Sequence, residues 1–324
     1  MARFALATAL SCLQCMYTPL VQAQDPPYPS RPLRMVVGFS AGGGPDVAAR
    51  LMAPRLMTLL GQQVGVDNRP GAGGSIGEAL VAKAPADGYT LLMCASSLSI
   101  NPFLYPKLPY DPVRDLTPIS LMGVSAQALI VLSGHPAKSV RDLIALAKSR
   151  PGEITFASSG NGSGSHLAGE LFKFMTATNL VHVPYKGGGQ GVTAVMAGET
   201  ALMFAPLAAA LPHVRSGRLR ALAVTTEERS AAATDIPTLA EAGVPGYGAF
   251  PWYGLFAPTG TPKAVIDTLQ RATAEAVAQP DMRERMLSLG IDPVGNGPAA
   301  FAAFIKVEMD KWSQVIRKSG LQLN

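Results

Sequence analysis

Met35-Val36-Val37-Gly38-Phe39-Ser40-Ala41-Gly42-Gly43-Gly44-Pro45-Asp46 runs from an apolar strand through a glycine-rich turn into an amphipathic helix. Farther along, Ile154-Thr155-Phe156-Ala157-Ser158-Ser159-Gly160-Asn161-Gly162-Ser163-Gly164-Ser165-His166 repeats the construction. Each stretch places glycine, serine and free main-chain N–H groups at a helix start, beside the C-terminal end of a parallel strand. The first N–H groups of a helix have no internal partner, and the helix dipole puts about half a positive charge there. Glycine lets the backbone come close to a ligand, and this end of an open α/β sheet is where ligands sit. One such cluster is explained equally well by a tight turn. Two clusters in matching contexts argue for a negative group held between two units.

Around these stretches, short β-rich runs alternate with amphipathic helical runs, which predicts an α/β fold of mostly parallel sheets flanked by helices. Strands are expected at 33–39, 64–66 and 89–93. A second series follows at 129–132, 154–157, 180–183, 201–204 and 219–224, and another strand at 252–256. Helices are expected notably at 140–148 and 166–175, and the chain after 256 reads as almost all helix, at 262–278, 280–289 and 299–318. Those terminal helices have no sheet of their own, so they are assigned as cover for the first lobe. The division is then a discontinuous first domain, 30–123 plus 248–324, and a continuous second domain, 124–247, with hinges near 123–126 and 246–250.

The length of 324 residues suits two domains, and 48% hydrophobic against 15% charged content supplies two cores and excludes a disordered chain. Residues 1–23 read as a secretory signal, with Arg3 before an apolar run and cleavage after Ala23 at Val21-Gln22-Ala23. The mature chain then keeps one cysteine, Cys94, in the apolar run Leu91-Leu92-Met93-Cys94, so no internal disulfide forms and the thiol reads as core. The formal net charge of +5 is dispersed, and the densest basic cluster, 215–220, lacks interleaved aromatics, which argues against nucleic-acid binding.

Several chemistries fail on detail. No Gly-Lys-Ser/Thr follows a glycine run, and the 160–165 stretch lacks the last glycine of a dinucleotide fingerprint. Gly38-Phe39-Ser40-Ala41-Gly42 does match a serine-hydrolase elbow. That chemistry needs a late histidine, and His135, His166, His182 and His213 all lie before the last third. A hydrolase using Ser40 therefore ranks second. His166 and Glu170 share a helix face without a third metal ligand, so His166 reads as part of a capped helix start and is counted among the expected ligand contacts. Asp46 reads first as a helix-start residue and second as a ligand contact. Lys186, in Pro184-Tyr185-Lys186-Gly187, is the best candidate for a side-chain charge near the ligand.

Across the mature chain the sequence resembles the Bug family, extracytoplasmic solute receptors of tripartite tricarboxylate transporters. The resemblance is carried by 39–46 with Ala49-Arg50, by Asn68-Arg69-Pro70-Gly71-Ala72-Gly73-Gly74, and by Ala86-Asp87-Gly88-Tyr89-Thr90. It continues through Tyr110-Asp111-Pro112, the 157–163 loop, Val183-Pro184-Tyr185-Lys186-Gly187, 237–243 and Trp252-Tyr253-Gly254-Leu255-Phe256. It implies a two-lobed, periplasmic-binding-protein-like (Venus flytrap) fold, with a carboxylate held by backbone N–H groups and waters. By position it implies contacts from Ser40, Ala41, Gly42 and Gly43 in one lobe, and from Ser158, Ser159, Gly162 and Ser163 in the other. Ser96 and Ser97 would line the cleft. It further implies a monomeric periplasmic receptor without cofactor or catalysis, serving integral-membrane transporter subunits, with a sensor lacking a permease as an alternative. Gln190-Gly191 and Ala201 depart from the family pattern, so the expected ligand is a small carboxylate of no particular kind.

Overall fold

The computed structural model describes residues 27–105 and 107–319; the expected leader and its cleavage point lie outside them. From the amino end come β1 (Leu33–Val37), α1 (Gly44–Leu60), β2 (Val64–Asn68), α2 (Ser75–Ala82), β3 (Thr90–Ala95), α3 (Ser97–Leu104) and β4 (Leu116–Ser125). Then follow β5 (Gln127–Leu132), α4 (Val140–Ser149), β6 (Thr155–Ser158), α5 (Gly164–Thr176) and β7 (Val181–Pro184). Next are α6 (Gly188–Ala197), β8 (Leu202–Pro206), α7 (Leu207–Arg215) and β9 (Leu219–Val224). Last come β10 (Trp252–Pro258), α8 (Lys263–Ala278), α9 (Pro280–Ser288), β11 (Ile291–Pro293) and α10 (Pro298–Ser319).

The strands form two sheets, ordered β11-β4-β10-β3-β1-β2 and β7-β6-β8-β5-β9. Period-2 alternation buries both faces of each. In the first sheet Met35, Val37, Leu91, Met93 and Leu255 point to one core, and Val36, Leu92, Cys94 and Phe256 to the other. In the second, Leu129, Val131, Phe156, Leu202 and Phe204 face away from Ala128, Ile130, Ala157, Met203 and Ala205. Helix α1 buries Ala48, Met52 and Leu56 at intervals of one turn and ends at Gly61, whose left-handed backbone returns its N–H to Met57.

The sheets are mixed rather than mostly parallel. The β1–β2, β1–β3, β6–β7 and β6–β8 pairs are parallel, as expected for the halves carrying the glycine loops. Strand β10 is antiparallel to β3 and β4, β11 to β4, and β5 to β8 and β9. The reason is topological: β4 leaves the first lobe where β10 returns to it, so adjacent crossing strands must run in opposite directions. Strands β4 and β11 were not expected from sequence. Leu116-Thr117-Pro118-Ile119-Ser120 interrupts its apolar pattern with proline, which is tolerated where the partner register shifts at Leu255 and Phe256.

The terminal helices also differ from expectation. Helices α8 and α9 cover the first lobe through Val265, Leu269, Met282 and Met286. Helix α10 is shared: Phe301 and Ile305 pack on Trp252 and Phe256, whereas Trp312, Val315 and Ile316 join the second-lobe core. Ile100 and Leu104 of α3 join that second core as well.

Candidate functional site

The glycine loop of each lobe builds its helix start by the same geometry. Gly42 and Gly162 hold φ of +81° and +71°, a left-handed conformation that disfavours a side chain. The next residues, Gly43 and Ser163, are extended N-caps with φ/ψ of −72°/161° and −68°/160°. Gly44 and Gly164 then open α1 and α5. Three residues past each cap, a side chain turns back: Asp46 Oδ2 accepts the Gly42 N–H at 2.8 Å, and His166 Nδ1 accepts the Gly162 N–H at 3.0 Å. Both helix starts press on the same crossing segment. A Cβ on Gly44 would lie 2.3 Å from Tyr253 Oη, and one on Gly164 would lie 2.8 Å from Pro251 Cγ.

These starts line one cleft of about 600 Å³. Gly43, Gly44 and Pro45 contribute from the first lobe, and Ser159, Asn161, Gly162, Ser163 and Gly164 from the second. A third helix start, at Ser96 and Ser97 of α3, opens onto it, together with Phe39, Gly73, Asn101, Tyr105, Leu167, Pro251 and Tyr253. No lining side chain among the described residues carries a formal charge. The helix starts on the cleft turn the positive ends of their backbone dipoles toward it, an effect that grows as water is excluded.

Of the residues expected at the ligand, Gly43, Ser96, Ser97, Ser159, Gly162 and Ser163 line the cleft. Ser40, Ala41, Gly42, Asp46, Ser158, His166 and Lys186 do not. Some lining N–H groups are already engaged: Gly43 donates to the Ser40 carbonyl and Gly162 to His166. Those of Gly44 and Gly164, at the α1 and α5 starts, belong to the set that helix geometry leaves without intrahelical partners. Asp46 is buried and also accepts from Arg50 and from Asn68, which ties the loop to β2. Burial raises its pKa, but the bonds from Arg50, Gly42 and Asn68 outweigh this and hold the carboxyl below its usual range. Lys186 is exposed on the β7–α6 loop.

Behind the second-lobe start lies a histidine pair. His166 and His182 stack with centroids 3.8 Å apart and planes within 6°. His182 Nε2 lies 2.6 Å from Ser158 Oγ, which accepts the Gly160 N–H and reaches the Gly160 carbonyl. Burial lowers both imidazoles to about 4, aided by Lys173 for His166 and by the charge of the neighbouring imidazole for His182. Glu170 approaches His166 Nε2 at 3.8 Å while paired with Lys173. Among the described residues, no three potential ligands converge on a metal site. Ser40 is exposed, and all four histidines belong to the 124–247 segment.

Behind α3 sits a buried carboxyl. Glu78 accepts from Tyr110, from Cys94 Sγ at 3.1 Å and from Ser97 Oγ at 3.3 Å. Burial raises its pKa, against the pull of those hydrogen bonds. Sequence reading passed over Glu78, Asn101, Tyr105 and Tyr253. Ser97, Asn101 and Tyr105 recur every fourth residue, so one stripe of α3 meeting the cleft was open to inference.

A family model described as the tripartite tricarboxylate transporter family receptor matches residues 48–321. The chain belongs to this receptor family. Protein BugT of Bordetella pertussis (strain Tohama I) is 41% identical to the receptor over 298 residues, covering 91% of each chain. The structure described as R. palustris Rpa4515 with adipate superposes with TM-score 0.77 at 36% identity, over 91% of the receptor and all of that chain. MatC (Rpa3494) from Rhodopseudomonas palustris with bound malate gives 0.71 at 31% identity, over 89% of the receptor and all of that chain. The two-lobed architecture expected from sequence is that of these solved neighbours.

Proposed function

We propose that the receptor works in the periplasm, captures a small organic carboxylate between its lobes without chemical change, and delivers it to a tripartite tricarboxylate-type membrane transporter. The observation that carries this reading is the pair of matched helix starts, one per lobe, on a single cleft free of charged side chains. Such a site favours an anion that main-chain N–H groups can grip from both sides. The bound adipate and malate of Rpa4515 and MatC belong to that chemical class. Gly44, Ser96, Ser97, Ser159, Ser163 and Gly164 are the proposed contacts. The lobes are taken as 30–123 with 248–324, and 124–247. The leader at 1–23 supports export, and the family supports the membrane partner.

The test is a thermal-shift screen of aliphatic, aromatic and amino acids on the chain from Gln24. A ligand present at 100 times its dissociation constant adds about 2.7 kcal/mol of stability. A carboxylate-specific rise in melting temperature is expected. No response to any acid, or labelling of Ser40 by a serine-directed phosphonate with ester turnover, refutes the reading.

A further inference from the structure

The loop of the second lobe depends on two histidines that do not reach the cleft. A backbone donor fixes the tautomer of the first. Gly162 donates its N–H to His166 Nδ1 at 3.0 Å, so Nδ1 is bare and the ring proton is on Nε2. Ser158 Oγ lies 3.2 Å from the Gly160 carbonyl and accepts the Gly160 N–H at 3.1 Å. His182 Nε2 shares a hydrogen bond with Ser158 Oγ across 2.6 Å, its direction following the His182 tautomer. The stack of the two rings joins these bonds into one unit, which grips the loop at Ser158, Gly160 and Gly162. Phe156 packs against both rings at 4.9 and 6.4 Å and closes the unit from the sheet side.

The first lobe performs the same task with Asp46, an ionised group sharing its charge with Arg50 and Asn68. In the second lobe the acceptor is neutral. A carboxylate at that place would face Glu170, which already lies 3.8 Å from His166 Nε2. A neutral acceptor also leaves the potential of the α5 start undiminished for an anion.

We propose that His166, buttressed by His182, is a positioning residue of the ligand cleft: by holding the Gly162 N–H through Nδ1 it aims the start of α5 at the bound carboxylate. This rests on the receptor reading above. The role needs an acceptor at the Nδ1 position, and an imidazole is not itself required. Asn offers its amide oxygen there, in the way Asp46 does to Gly42, whereas Leu fills similar space and leaves the N–H unmet.

The experiment compares wild type, His166→Asn and His166→Leu by calorimetric titration with adipate, malate and benzoate, using whichever acid binds wild type most tightly. His166→Leu should weaken binding by about tenfold or more, the worth of one well-placed hydrogen bond, and His166→Asn should stay within about threefold of wild type. Nitrogen-15 spectra of wild type should show His166 with a bare Nδ1 and a protonated Nε2, which keeps the proposal open to refutation should the Leu variant not fold. Equal affinity in Leu and wild type, equal loss in Asn and Leu, or a protonated Nδ1 overturns the role of His166. A wild type that binds none of these three acids and no acid of the thermal-shift screen removes the receptor reading itself, so the two failures are told apart.

Discussion

Replacing Gly44 by alanine tests the packing that seats α1 in the cleft. The new Cβ would lie 2.3 Å from Tyr253 Oη, 3.1 Å from its Cζ and 3.3 Å from its Cε1. Tyr253 is only 7% exposed and sits on β10, paired to both β3 and β4. The phenol or the helix start must therefore shift by about 1 Å, an overpacking that costs about 1–3 kcal/mol. In a chain of this size that corresponds to a melting-temperature loss of about 2–6 °C. Tyr253→Phe removes the atom at closest approach and leaves the 3.1 Å contact, which a displacement of a few tenths of an ångström relieves. The double variant Gly44→Ala/Tyr253→Phe should thus recover most of the loss, with a coupling of about 1–2 kcal/mol in urea unfolding. Additive losses, within about 0.5 kcal/mol, refute the idea that the tyrosine hydroxyl sets the clearance at this helix start.

Two further outcomes follow from buried titratable groups. His166 and His182 are lowered to about 4 from 6.5, so between those values the unfolded chain binds more protons and stability falls as pH falls. Unfolding at pH 6.5 and 4.5 should differ by roughly 2 kcal/mol on this account, with the half-exposed His182 counted at a fraction of its shift. His166→Asn should remove much of that difference. Glu78 is shifted the other way, so above its ordinary value the folded state binds the extra proton and stability falls as pH rises. Glu78→Gln should therefore gain on wild type between pH 4 and 7, whereas Glu78→Ala, which strands Tyr110, Cys94 and Ser97, should cost about 2–4 kcal/mol.

The α/β class, the strands around both glycine loops and the crossing region near Trp252 were legible because apolar runs and glycine punctuation report local geometry directly. The antiparallel half of each sheet was not. Whether β10 runs with or against β3 depends on where a strand returns after an excursion through another lobe, and no local pattern encodes that. In the cleft, both glycine loops singled out in the sequence contribute lining residues, but the proton and acceptor arrangement within them was not legible. Gly42 and Gly162 were read as ligand contacts, but their N–H groups are turned back onto Asp46 and His166. The spacing that does this, glycine followed four residues later by a polar acceptor at N3, is present in both loops and is the signal that distinguishes a loop-fixing N–H from a ligand-facing one. Gly38, the first residue of the hydrolase-like elbow, has its own explanation: a Cβ there would sit 2.5 Å from the Gly74 carbonyl oxygen, so that glycine answers to backbone packing.

Capture by lobe closure needs a ligand that prefers the closed form, because an acid binding one lobe alone with equal strength in both forms shifts nothing. A carboxylate gripped by both helix starts satisfies that requirement, since the second grip exists only when the lobes meet. The connections between lobes suit such a motion. The two crossovers are tied to each other where they meet, with Ser125 N–H on the Pro251 carbonyl at 2.6 Å. Beside β4, Asp292 of β11 accepts from Ser230 and Ala231. Helix α10 spans both cores, through Phe301 and Ile305 at one end and Trp312, Val315 and Ile316 at the other. A helix anchored on both sides limits rotation to what its packed side chains can absorb by small sliding, which is a shear. A cleft of about 600 Å³ between the lobes fits a small acid with its water.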